Sequence, residues 1–322
     1  YTYDTKSRLP VTISKGGLMS GFTYDYCSGN ILTHTDPGMN ILTYDIEDWF
    51  HLLDIDSTAT EAEWRNFKPR IHANVERLLE LTLRHQHPAT FFCLGWVAQR
   101  YPEIIRRIDE LGFEVASHSH MHQLVYQQTP QQFLEDLKRS IYTLEDITGK
   151  KIKTYRAPGF SIMRGNAWAI EALLECGIER DSSIFPAERG HGGYDNFGRA
   201  EPSLLNCSTG KIKEFPINLG KFMGKTFVFS GGGYFRLMPF SVIQSLTERA
   251  DYVMTYFHPR DFDSEQPVLD LPISRKFKSY VGLKGAYKKL DQWLGQNKFI
   301  DIATADQLVN WDKAQRVEMS SH

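Results

Sequence analysis

Residues 40–46 read Asn40-Ile41-Leu42-Thr43-Tyr44-Asp45-Ile46. Apolar, β-branched and aromatic residues dominate this run, the composition of a buried strand. Outward from it, short apolar runs alternate with longer amphipathic ones. Further strands are expected at 89–94, 114–118, 153–157, 181–185, 213–217, 252–257 and 299–303. Helices fall between most of them. In 71–84, Ile71, Val75, Leu78, Leu79 and Leu81 recur near helical spacing; in 102–111, Ile104, Ile105, Ile108 and Leu111 do so before Gly112. Thr129-Pro130 with Gln132 has the form of a capping box, opening a helix that stops near Gly149. Residues 166–176 form another, stopped by Gly177. Repeated strand–helix order implies parallel strands with crossover helices. About seven such units favour a closed or nearly closed barrel over an open sheet.

The 322 residues, 41% of them apolar, can bury a full core. Residues 1–38 are rich in Thr, Ser, Gly and Tyr and lack a sustained period. They are expected to be an irregular extension, with the natural chain beginning at Met39 and a single domain spanning 39–322. A glycine-rich excursion is expected at about 186–240, where Gly190, Gly192, Gly193 and Gly231–Gly233 fall. The formal charge of −2, from 37 basic and 39 acidic residues, shows no basic stripe and proposes no nucleic-acid partner. Cys27, Cys93, Cys176 and Cys207 have neither metal-site nor disulfide-framework spacing. No apolar stretch approaches ~20 residues, so no membrane-spanning segment is expected. No secretory pattern opens the chain, so the expected location is cytoplasmic.

Chemistry concentrates at predicted strand ends. Ser117-His118-Ser119-His120-Met121-His122 holds three of the eleven histidines. In a helical turn, the i,i+4 pair His118 and His122 aims two imidazoles at one ion, with His120 pointing elsewhere and Ser119 bracing the turn. Asp45-Ile46-Glu47-Asp48 places three carboxylates within four residues, which repel one another without a cation or basic partner. In Tyr155-Arg156-Ala157-Pro158, the proline keeps Ala157 extended and leaves Arg156 at a strand end, able to clamp a carboxylate. Tyr252–Phe257 is a near-continuous apolar strand ending in His258-Pro259. Each feature alone is compatible with a solvated loop, a helix cap or a satisfied structural histidine. Together they form a site only if the fold brings their strand ends to one mouth.

Taken together, these motifs resemble the NodB-homology polysaccharide deacetylases, carbohydrate esterase family 4. His-Ser-x-x-His at 118–122 is the most specific piece, and the motifs span roughly 40–260. Asp-Ile-Glu-Asp-Trp-Phe-His (45–51), Asp-Ser-Ser-Ile-Phe-Pro (181–186), Glu-Phe-Pro (214–216), Gly-Gly-Gly-Tyr-Phe-Arg (231–236) and Phe-His-Pro (257–259) resemble a subfamily linked to bacterial exopolysaccharide and surface-glycan gene clusters. The resemblance implies an α/β fold, a distorted (β/α) barrel of about seven parallel strands. It also implies a divalent metal, usually Zn2+, and an N-acetylated glycan as substrate. Position by position, Asp45 would be the general base, Arg156 its orienting partner, His258 the general acid, and His118 and His122 metal ligands. The family usually has two adjacent aspartates, base then ligand; here Ile46 separates Asp45 from Glu47 and Asp48. Strand alternation puts Glu47 on Asp45's face, whereas the shorter Asp48 matches the usual aspartate; the reading leans to Asp48 and leaves both open. His191, Tyr194, Tyr234 and Phe235 are candidates for sugar contact. A deacylase of small non-sugar amides and a catalytically silent glycan-binding protein are the alternatives.

Overall fold

The computed structural model describes residues 38–319, except 54, 59, 188–191 and 223–224, together with four strands that precede residue 36. Parallel strands Thr43–Ile46, Thr90–Cys93, Glu114–Ser117, Thr154–Tyr155, Arg180–Asp181 and Gly210–Glu214 lie side by side in chain order. Met39–Ile41, which leads into the first of these, pairs in parallel with Tyr252–Met254. That pairing continues through a bridge between Tyr44 and Phe257. The first strand is thus flanked on both sides, and the sheet curls into a distorted (β/α) barrel. In register, Asp45 lies beside Phe92, Cys93 beside Ser117, and Ser117 beside Tyr155. The carboxyl ends of the strands therefore form one rim.

The apolar residues divide into two layers because neighbouring strand residues face opposite sides of the sheet. Phe91 points outward, 5.0 Å from the ring of Tyr44 and 5.1 Å from that of Phe113. It belongs to the large core under the helices, with Leu78, Leu79, Ile105, Leu137 and Leu173. Phe92 points into the barrel, among Ile41, Ala116, Phe215, Ile217 and Met254. The strand Thr43–Ile46 is buried at every position, with Tyr44 and Ile46 in the large apolar core and Thr43 and Asp45 bonded to Arg156.

Helices Ile71–Arg84, Pro102–Glu110 and Pro130–Thr148 form where the sequence places them. The last opens with the Thr129–Gln132 capping box and ends at Gly149 in the left-handed region, φ 67°. The expected strand at 299–303 is reduced to one bridge, Ile300 to Ile41. Asp301 takes over there as an N-cap, accepting from Thr304 N at 2.7 Å, and helix Ile302–Leu308 begins. That helix closes the amino end of the barrel: Ile302 N donates to Thr90 Oγ1 and Ala303 N to Glu114 Oε2.

Other differences come from short elements with weak periodicity. The excursion at 186–240 is more ordered than its glycines suggest. It holds Ser203–Cys207 antiparallel to Gly210–Glu214, a hairpin of Gly220–Phe222 with Lys225–Phe227, and helix Gly232–Leu237. Gln315–Glu318 adds a parallel edge strand against Ser203–Cys207. The extension before Met39, read as irregular, contains an antiparallel sheet of Thr2–Tyr3, Pro10–Lys15, Leu18–Tyr24 and Ile31–Thr35. No helix among the described residues is long and apolar enough to cross a membrane.

Candidate active site

The rim formed by the strand ends carries the charged residues. Asp45 and Glu47 leave the first strand, His118 follows Glu114–Ser117, and Arg156 follows Thr154–Tyr155. His258 joins them from the far end of the chain. Asp45 N donates to Phe257 O at 2.7 Å, which draws the 255–258 segment alongside 43–46.

Arg156 is fully buried. Its guanidinium lies 4.1 Å over the Phe92 ring. One nitrogen, Nη1, donates to Asp45 Oδ1 at 2.7 Å and to Thr43 Oγ1 at 2.8 Å; Nη2 donates to Ser182 Oγ at 3.0 Å. The arginine therefore does not clamp Asp45 with two bonds. It fixes one carboxylate oxygen and spends its other donors on the barrel wall, which satisfies a buried cation. Asp45 Oδ2 is left 3.8 Å from His258 Nε2.

The two histidines of the His-Ser-x-x-His motif meet, but not through a helical turn. Ser119 and His122 adopt left-handed backbone angles, φ 66° and 54°. The turn is held by Ser119 Oγ accepting from His122 N at 3.1 Å and by the Asp136 carboxylate accepting from His120 N and Met121 N at 2.7 and 2.9 Å. Such angles in non-glycine residues are costly and persist where surrounding bonds enforce them. The rings of His118 and His122 are 5.3 Å apart. His118 Nδ1 donates to Arg156 O at 2.8 Å. Burial pushes the His118 pKa down to about 4, so the ring is neutral with a free lone pair on Nε2. His120 points away from this pair and packs so closely on Gly95 that a Cβ there would lie 2.4 Å from His120 Nδ1.

Glu47 sits between the histidines. Its Oε2 is 2.8 Å from His122 Nε2 and its Oε1 is 3.0 Å from His258 Nε2. Burial opposes its charge, but the two imidazoles outweigh it and hold the carboxyl well below the usual range. The lean toward Asp48 is corrected by where that side chain lies. Asp48 accepts from Trp49 N at 2.8 Å, Arg70 N at 3.0 Å and Ile71 N at 3.3 Å. It thus caps helix Ile71–Arg84 from a distance, serving N–H groups that the helix itself cannot satisfy. Its lone pairs face that helix rather than the histidines, and burial raises its pKa to about 6.

His258 is anchored by residues that sequence spacing did not single out. Its Nδ1 lies 3.1 Å from Asp261 Oδ2, and Arg236 Nη1 donates to Asp261 Oδ1 at 2.6 Å. Burial works against the imidazolium, but Glu47 and Asp261 push the His258 pKa up to about 10. A carboxylate three residues beyond a strand-end histidine, in His258-Pro259-Arg260-Asp261, was the available signal. His51, which closes the 45–51 motif and was expected to rim the site, is buried behind it. It accepts from Asp48 N on Nδ1 at 2.9 Å, and its buried Nε2 has no hydrogen-bond partner among the described residues.

The three described sugar-contact candidates do not come together. Phe235 is fully buried, 4.9 Å from Phe257 and 5.3 Å from Trp293, and Tyr194 is buried against Phe197. Both are core aromatics whose apolar bodies outweighed their position in a loop-rich region. Tyr234 is exposed on helix Gly232–Leu237. His191 lies outside the described residues.

Residues 56–179 match the polysaccharide deacetylase family, and 182–307 match a domain of unknown function, DUF3473. The polysaccharide deacetylase match covers less than half of the chain. A curated relative, a peptidoglycan deacetylase from Helicobacter pylori, is 30% identical over 110 residues, 34% of this chain and 36% of that protein. The chain thus aligns with about a third of that relative's length. A Mycobacterium smegmatis protein described as a polysaccharide deacetylase has a crystal structure that superposes with a TM-score of 0.62 at 19% identity, covering 93% of this chain and 98% of the other. That likeness supports the barrel.

The two matched regions do not divide the barrel into separate bodies. Arg180–Asp181, at their junction, pairs with Thr154–Tyr155 on one side and Lys213–Glu214 on the other. Asp45 and Glu47 precede the deacetylase match, and His258 lies in the second one. The cluster at the rim is assembled from all three parts.

The donors present suit a divalent cation in type: His118, whose Nδ1 donates to Arg156 O and so leaves Nε2 as the ring's acceptor, His122, and a charged, buried Glu47. Among the described residues no three such side chains already enclose a cation-sized space. In their present positions Glu47 contacts the imidazoles directly.

Proposed function

We propose that this chain is a metal-dependent N-deacetylase that hydrolyses the acetamide of an N-acetylated glycan, in the making or tailoring of a bacterial surface polysaccharide. One observation carries the reading. A carboxylate (Asp45) is held at one oxygen by a buried arginine, and its other oxygen lies within 4 Å of His258, whose second ring nitrogen is held by Asp261. A structural ion pair has no use for an aspartate, a glutamate and two further imidazoles packed behind it.

His118, His122 and Glu47 would hold the metal, with Zn2+ the expected ion. Bound there, it would supply Lewis acidity that makes water acidic and polarises the acetyl carbonyl. The chain's own residues do the rest. Asp45 takes a proton from the attacking water at Oδ2, while Arg156 keeps Oδ1 occupied and the carboxylate aimed. The amine is a poor leaving group unless protonated. His258 supplies that proton from Nε2, and Asp261 fixes the ring by holding Nδ1. Asp136 and Ser119 hold the backbone turn that presents His118 and His122.

The test is acetate release from N-acetylglucosamine oligomers by the purified protein, before and after chelation and after restoring Zn2+. Release that is lost with the metal and returns with it supports the reading. No release from any N-acetylated glycan at saturating metal overturns it.

A further inference from the structure

The near-even charge of the whole chain hides a local run. Residues 271–290 contain Arg275, Lys276, Lys278, Lys284, Lys288 and Lys289 and no aspartate or glutamate. Helix Ile273–Tyr280 lies within it and buries none of its residues. Ile273 and Phe277, one turn apart on that helix, are 88% and 56% exposed. Val268 before it and Leu237 on the neighbouring helix are also exposed. A soluble helix normally turns such residues inward. Here an apolar ridge faces outward among cations.

Two of the six cations are held within the protein and four are not. Lys289 donates to the carbonyls of Phe235, Arg236 and Met238, and Arg275 donates to Leu53 O. Lys276, Lys278, Lys284 and Lys288 are exposed, and no ion pair forms to any of them among the described residues. The helix also borders the rim. Arg236, whose Nη1 holds Asp261, donates from Nη2 to Lys278 O at 2.7 Å. Leu53, the partner of Arg275, lies two residues beyond His51.

We propose that this face docks on an anionic lipid surface and presents the rim to a glycan carried at that surface; the choice of substrate rests on the deacetylase reading, the docking does not. Exposed lysines alone would suit any polyanion. The exposed Ile273 and Phe277 decide for lipid, because a soluble polyanion gives them nothing to enter, whereas the acyl boundary of a bilayer does.

The test is sedimentation of the full chain with phosphatidylcholine vesicles, with and without phosphatidylglycerol, at low and high salt. Binding is expected only with the anionic lipid, weakening as salt rises. Ile273→Ser with Phe277→Ser should weaken it about tenfold or more, with an unchanged circular dichroism spectrum. Acetate release from soluble oligomers by the same variant should match the parent's, so failure of docking and failure of the deacetylase reading are separable. Three results overturn the proposal: no binding to anionic vesicles, equal binding by the double variant, or lipid-free self-association that the double variant abolishes. The last would make the face an interface between two copies.

Discussion

Asp45 and His258 sit on opposite sides of the proposed proton path, and each has an identifiable holder. Asp45→Asn leaves the hydrogen bond from Arg156 possible but removes the base. Turnover should fall by about 10²–10⁴ with metal content unchanged, measured by acetate release and elemental analysis of the same preparation. Asp261→Asn removes the charge behind His258. It should lower the pH at which the basic limb of the rate profile falls, a shift that simple loss of packing would not give. A second pair supplies a stability test. Asp181 and Glu214 are fully buried behind Arg156. Burial raises Asp181 to about 6 and Glu214 well above its usual value; the two side chains interact, and among the described residues Asp181 Oδ2 and Glu214 Oε2 have no other hydrogen-bond partner. A shared proton satisfies both. Folded carboxyls with raised pKa bind protons that the unfolded chain releases near pH 4. Their stabilisation is therefore complete below that pH and is lost as pH rises through about 6 and beyond. Glu214→Gln, which keeps a neutral donor there, should flatten the fall in Tm between pH 5 and pH 8. At this scale the sequence was partly legible. Residue types and order pointed to Asp45, His118, His122, Arg156 and His258, which the fold brings together. The choice between Glu47 and Asp48 turned on the helix whose N–H groups Asp48 serves, a partner about twenty residues away in sequence. Asp261 and Asp136 were invisible for the same reason, because their meaning lies in what they face, and Glu214 was read only as part of the Glu-Phe-Pro motif.

Two short segments carry most of the site's shape, and neither is regular. The turn at 118–122 depends on Asp136, reaching from helix Pro130–Thr148 to two backbone N–H groups. Asp136→Ala should release that turn, lowering metal affinity by about 10–100-fold as read by competition with a chelator, while the helix remains intact. The end of helix Ile71–Arg84 depends on Asp48. Asp48→Ala should keep the metal and cost about 1–2 kcal/mol of stability, seen as a lower urea midpoint. Helices were readable because their apolar spacing and caps are local. Strand limits were less so. The 299–303 run is apolar enough for a strand, yet the capping side chain of Asp301 starts a helix after a single bridge. Phe235 and Tyr194 read as contact aromatics because loop-rich sequence does not reveal that the barrel needs them as filling.

The barrel brings distant parts of the chain together. Met39–Ile41 pairs with Tyr252–Met254, and His258 reaches Glu47 across more than two hundred residues of chain. Alternating strands and helices made the barrel legible, but closure is a long-range pairing that no local pattern encodes. A chain ending at residue 181 should therefore show no cooperative thermal transition, since it lacks the strands that flank both edges of its sheet; a sharp transition would show that the first region folds alone. The central claim is that Glu47, not Asp48, completes a metal site with His118 and His122 beside a free Asp45. It is tested most directly by measuring bound metal and acetate release together in the parent, Glu47→Ala and Asp48→Ala. Loss of both in Glu47→Ala, with both kept in folded Asp48→Ala, is the predicted result. Metal and turnover retained in Glu47→Ala but lost in a folded Asp48→Ala would contradict it.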